Sequence, residues 1–164
     1  MISSIFLSFV KRIDRDEILR VFIEADYINQ DDFEKDLLHH LKDDNIKKIE
    51  FTIISAENPY FSQTLMTTGL FEADILILNG SRLSTFDLEG SFRKLQTYVD
   101  ILNIDHTRLF MNDEEIYGIE VSHNAIDQYQ WIMQETSYSF INEASIHENE
   151  LMFKALSLIV LDAY

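Results

Sequence analysis

The stretch from Ile49 to Leu83, IEFTIISAENPYFSQTLMTTGLFEADILILNGSRL, constrains the fold more than any other part of the chain. Its first seven residues are branched and aromatic, which reads as a strand. Asn58 then offers a helix N-cap, and Pro59 sits at a first helical position, where the missing amide hydrogen would have no partner anyway. Phe61 and Leu65 are one turn apart, and Gly69 is the expected stop. ADILILNG follows as a continuous apolar run ending in Asn79-Gly80, the pattern of a strand covered on both faces. A strand–helix–strand unit of this kind implies a parallel sheet.

The flanking sequence extends the unit. ILRVFIEAD reads as an earlier strand, and Asn29 caps a following helix that has Asp31 and Asp32 in its first turn. Phe33, Leu37, Leu38 and Leu41 share one face of that helix, and Asn45 ends it. After Ser91, the positions Phe92, Leu95, Val99 and Leu102 predict one helix closed by Asn103. HTRLFMNDEEIYGIEVS predicts a hairpin turning at Asn112-Asp113, with Gly118 marking a bulge or a close backbone approach. Residues 124–135 read as helical, SYSFINEAS as a short strand, and residues 148–163 as a helix that is apolar nearly all round, hence buried or covered by a partner. The predicted fold class is therefore α/β: a mostly parallel central sheet with helices on both faces. Residues 18–164 form a single domain, which a chain of 164 residues supports with a real core. Residues 1–17 stand apart as an N-terminal segment, read as a strand or helix or as the trailing end of a membrane anchor.

Charge and motifs exclude more than they assign. A formal charge of -16 argues against nucleic acid and against an anionic membrane surface, since both require clustered Lys and Arg. From Leu109 onward Lys154 is the one basic residue against ten acids, so this acidic third suits a basic partner, a cation, or simply solubility. The absence of cysteine removes disulfides, thiolate chemistry and Cys-based zinc sites. No HExxH, GxSxG, phosphate-binding glycine loop or GxGxxG occurs, so no catalytic residue, cofactor or metal is expected. The acidic runs at 112–115 and 147–150 lack the central glycine of a calcium loop. Asp87 and Glu89 read as dipole complements at a helix start.

The order of landmarks resembles a family. FEKDL after the first strand, FSQTLMTTGLFEADILILNG, EIYGIEVS and SYSFINEASIHENELMFKALSLI are similar, in that order, to the first lobe of extracellular solute-binding proteins of the maltose-binding type, the receptors of ABC importers. Glu120 stands where the family usually has proline. Complete receptors are about twice as long, and between Ser122 and Ser137 they carry a second lobe that is replaced here by about fourteen residues. The resemblance thus implies a single lobe of a type 2 periplasmic binding protein and an extracytoplasmic location, with a membrane anchor upstream or, alternatively, a cytoplasmic one. It does not carry over transport.

In open parallel sheets ligands gather beyond the carboxyl ends of the strands. The expected site residues are Asp26, Tyr27, Asn29, Glu57, Asn58, Tyr60, Asn79, Ser81 and Arg82, joined by Ser122 and His123 through the resemblance. Their chemistry suits a polar small molecule, a sugar or a peptide. The competing reading assigns each asparagine to a cap or turn. The functional expectation is a non-enzymatic binding module. Its alternative is a protein–protein or assembly domain, including a homodimer, docking through the apolar last helix or the acidic surface.

Overall fold

Strand β1 (Ile18–Glu24) alternates its side chains between two faces, and both faces are buried. Leu19, Val21 and Ile23 enter one apolar cluster and Phe22 the other. In the computed structural model, residues 12–121 and 135–161 are described. Around β1 lie β2 (Lys48–Ile54), β3 (Ile75–Asn79), β4 (Leu109–Asn112), β5 (Glu115–Glu120) and β6 (Ser137–Ile141), in the order β2-β1-β3-β6-β5-β4. β1 lies between β2 and β3 and pairs parallel with both, so the two strands of the Ile49–Leu83 unit run parallel, as expected, without being neighbours. β6 runs antiparallel to β3 and β5, and β4 antiparallel to β5. The sheet is therefore mixed, although β5 points the same way as β1, β2 and β3.

Helix α1 (Gln30–Leu41) is capped by Asn29, whose side chain accepts from the Asp32 amide. Phe33, Leu37 and Leu41 are fully buried, each stabilising the fold by about 1.5–3 kcal/mol relative to exposure. Asn45 takes the left-handed conformation (φ 64°) after the last turn, which asparagine tolerates better than most residues. α1 shares its face of the sheet with α5 (Gln96–Leu102) and α6 (Asn149–Val160). The opposite face carries α2 (Phe61–Thr64), a π turn (Leu65–Gly69), α3 (Leu70–Glu72) and α4 (Leu88–Ser91).

Several local expectations change. The second helix starts after Tyr60, because the Asn58 side chain accepts from the Tyr60 amide at 2.9 Å and closes a turn rather than capping. Gly69 does not stop it; the chain passes through Gly69 as a π bulge and leaves the helix at Ala73. A Cβ on Gly69 would lie 2.9 Å from Leu65 Cδ1 and 3.4 Å from atoms of Leu76 and Phe22, so the glycine permits a close approach to the sheet. The helix predicted from Ser91 is broken, because Phe92 leaves α4 to bridge Asn142, and α5 begins only at Gln96. Asn103, at φ 51°, ends α5 as expected.

The hairpin turns one residue later than expected, with Asp113 (φ 50°) and Glu114 (φ 69°) both left-handed, as a two-residue primed turn demands. Its bulge falls where Phe110 faces Gly118 and Met111 faces Ile116. A Cβ on Gly118 would stand 2.5 Å from Phe140 Cε1, which is the close approach that this glycine implied. The last helix spends its apolar surface inside the domain. Met152, Ala155, Leu156, Leu158, Ile159 and Val160 are buried, while Leu151 and Phe153 are half-buried against the same core. Of the two readings of this apolar helix, burial within the domain is the one its packing matches. Residues 1–11, the 124–134 part of the predicted helix with Trp131, and residues 162–164 lie outside the described residues. Among the described residues no helix is long and apolar enough to cross a membrane.

Candidate functional site

The alternation of β1 that sends Phe22 to the α2 face sends Glu24, two residues on, to that same face at the carboxyl end of the strand. Glu24 is 2% exposed, and a carboxylate so placed must be compensated. Its Oε2 accepts from the Asn79 amide at 3.0 Å, and its Oε1 accepts from Asn79 Nδ2 at 3.0 Å and from Arg82 Nε at 2.5 Å. Ser137 Oγ donates to Asn79 Oδ1 at 2.9 Å. The ends of β1, β3 and β6 are thereby tied at one point, and the short 3-10 segment Gly80–Thr85 that follows β3 is held against it. Arg82 extends over the Phe61 ring, with its guanidinium carbon 4.2 Å from the ring centroid. Contact with a ring face, combined with a fixed Nε, restricts how the guanidinium can turn.

Beside Arg82 a half-open groove of about 640 Å³ runs between α2 and residues 80–91. Phe61, Leu65, Met66, Leu70 and Phe86 give it apolar walls, and Ser62, Ser81, Thr85 and Ser91 supply hydroxyl groups. Asp87 also borders the groove, but its side chain caps α4 by accepting from the Gly90 amide. An apolar cleft of this size with a few convergent polar groups is the usual form of a small-molecule site.

The expected site residues divide. Asn79, Ser81 and Arg82 converge here, Asn79 as a buried strut and the other two on the groove wall. Asn29 serves as a helix cap and Asn58 as a turn former, the roles that the competing reading gave them. Tyr27 (53% exposed) and Tyr60 (67% exposed) stand out into solvent, and Asp26 and Glu57 are exposed beside them; none of these four lines the groove. Ser122 and His123 lie outside the described residues. Glu24 went unread as a site residue because it ends an apolar strand. Its signal was an acid finishing a central strand, where the sheet neighbours remove solvent. The groove-lining Ser62, Met66 and Phe86 have no comparable signal, since their meeting depends on the π bulge and on the 3-10 segment.

The other acidic runs have local roles: Glu148 precedes α6 as its N-cap, and residues 113–114 form the hairpin turn. Among the described residues no group of three His, Asp or Glu side chains is placed to hold a metal ion.

No family model matches the sequence, and no curated protein matches it. Solved structures do resemble it. The maltose/maltodextrin-binding domain MalE from Bdellovibrio bacteriovorus, bound to maltotriose, aligns with a TM-score of 0.47 and 15% identity, over 64% of this chain and 28% of that one. The ABC substrate-binding protein Lmo0181 from Listeria monocytogenes, in complex with cycloalternan, gives 0.46 and 18%, over 68% and 32%. The N-glycan transport solute-binding protein NgtS from Streptococcus pneumoniae gives 0.48 and 12%, over 66% and 26%. The chain is similar in fold to part of a solute-binding protein. It spans between 26% and 32% of the length of these three structures.

Proposed function

We propose that this chain is a non-enzymatic, extracytoplasmic binding module whose ligand seat is the groove between α2 and residues 80–91, and that its ligand is a polar small molecule, a sugar or a peptide. The observation that carries this reading is the Glu24–Arg82 pair. A buried carboxylate is costly, and here it fixes an arginine at the lip of an apolar cleft instead of being replaced by a hydrophobic residue. The hydroxyl groups of Ser62, Ser81 and Ser91 and the aromatic faces of Phe61 and Phe86 suit ligands that present both polar edges and flat or apolar surfaces.

A second reading rests on a different observation. Tyr27, Tyr60, Met66 and Phe71 are all more than half exposed, and exposed large apolar side chains mark protein contacts where they form one contiguous patch. In this reading the module docks a protein or a second copy of itself through these side chains, with no small ligand.

Thermal-shift screening against sugars, peptides and amino acids, run beside light scattering, tests both. A ligand present at a hundred times its Kd adds about 2.7 kcal/mol. For a chain of this size that is a rise in Tm of roughly 5–11 °C. No shift across the panel together with a dimeric mass rejects ligand capture in favour of assembly.

A further inference from the structure

The two arginines that hold buried carboxylates in this fold use their donors differently. Arg15 commits both terminal nitrogens: Nη1 donates to the Ile18 carbonyl and to Asp74, and Nη2 to the Glu72 carbonyl and to Asp74. Arg82 commits only Nε, to Glu24. Its two Nη groups meet no acceptor among the described residues, although the side chain is only 31% exposed and borders the groove. Four N–H donors thus stand on a guanidinium whose turning is restricted by Glu24 and by contact with the Phe61 ring.

We propose, building on the groove as the ligand seat, that Arg82 is a carboxylate anchor and that the groove takes short apolar peptides by their free C-terminal carboxylate. A planar fork with two parallel donors matches the two oxygens of a carboxylate in a way that no single sugar hydroxyl does. Because Glu24 and Phe61 already orient the fork, little side-chain freedom is lost on binding. Glu24 also offsets the charge of the partly exposed Arg82 beside the groove. The walls beyond the fork, Phe61, Leu65, Met66, Leu70 and Phe86, complement apolar side chains. Asp87, the acid that borders the groove, is held on the Gly90 amide. The distant acids behind the net charge of -16 are screened beyond about 8 Å at physiological salt.

The test is calorimetric titration of the whole chain with leucyl-phenylalanine, its C-terminal amide, and maltotriose. The free acid binds, and the amide binds at least tenfold more weakly. Arg82→Lys keeps a cation for Glu24 but loses the fork, so the folded variant shows acid and amide within threefold of each other. Met66→Glu, on an exposed wall residue, weakens the free acid at least tenfold with an unchanged Tm. Equal binding of acid and amide to the parent chain overturns the carboxylate anchor while leaving the groove as the ligand seat. Maltotriose binding that Met66→Glu abolishes, with no binding of the dipeptide, has the same effect. If none of the three binds, the anchor and the ligand-seat reading both fall.

Discussion

The two ends of the sheet each bury a carboxylate, and they do so for different ends. At the amino end Asp74 is fully buried. Its Oδ1 accepts from Arg15 Nη2 and from Ser145 Oγ at 2.7 Å; its Oδ2 accepts from the Arg20 amide at 2.8 Å and stands 3.6 Å from His147 Nε2. Arg15 spends its remaining donors on backbone carbonyls, and His147 Nε2 lies 2.9 Å from the Ile18 carbonyl. This network stitches the turn before β1, the start of β3 and the loop between β6 and α6. At the carboxyl end Glu24 gathers β1, β3 and β6 in the same manner but leaves its arginine with unused donors beside a groove. A closed network is a clamp, whereas a network with spare oriented donors is a clamp that also presents something.

The largest expected effect tests the clamp. Asp74→Ala removes the acceptor for Arg15, the Arg20 amide and Ser145, and breaking a buried ion pair from one side costs about 3–5 kcal/mol. Denaturant unfolding measures the loss. Ligand affinity of the fraction that stays folded remains at the parent value, and a tenfold drop there would erase the distinction between the two ends.

Glu24→Gln should cost less stability, about 1–3 kcal/mol, since Gln keeps one acceptor oxygen and Arg82 reaches solvent. Its binding loss should exceed its stability loss, because the fork is no longer held. The opposite ranking, by titration and melting of the same sample, would make Glu24 a second Asp74.

Between the two ends, Gly118→Ala pushes a methyl into the Phe140 ring and should destabilise by about 1–3 kcal/mol without discriminating between them. A variant that binds ligand differently but melts like the parent would tie the antiparallel half to the groove. Ser139 is fully buried in β6, opposite Ile77 and Ile119, and its hydroxyl has no hydrogen-bond partner among the described residues. Ser139→Ala removes that orphaned group and should raise stability by up to about 1 kcal/mol, as read by Tm.

The smallest effect is on pH dependence near the Asp74 end. The side-chain hydrogen bond from Lys48, reinforced by Arg20, holds the Glu50 carboxyl below its ordinary range against a smaller opposing effect of burial. A lowered folded-state pKa gives stability that is fully present above the unfolded value of about 4.3 and lost as pH falls through the folded value. Acid unfolding of Glu50→Gln should therefore match the parent at low pH and fall slightly below it at neutral pH.

The parallel half of the sheet was legible because its signals are local. Apolar runs bounded by Asn29, Asn45 and Asn79 set the elements, and strand–helix–strand spacing set their parallel direction. The breaks at Phe92 and Gly69 were not legible. Phe92 fits the helical spacing that continues to Leu95, and only the bridge to Asn142, fifty residues away, pulls it out. Gly69 is a stop signal by itself, but packing against Phe22 and Leu76 turns it into a point of close approach.

The candidate groove was legible only in part. That Asn79, Ser81 and Arg82 stand close together was readable because strand ends in a parallel sheet are predictable positions. Glu24 was missed because its burial depends on three strands meeting. By itself the sequence determined the faces of the helices, the parallel direction of β1, β2 and β3 and the absence of recognisable catalytic motifs, all of which follow from periodicity and residue chemistry. Only the tertiary structure decided which polar groups are spent and which are left over, because a donor is satisfied or free only relative to acceptors far away in the chain.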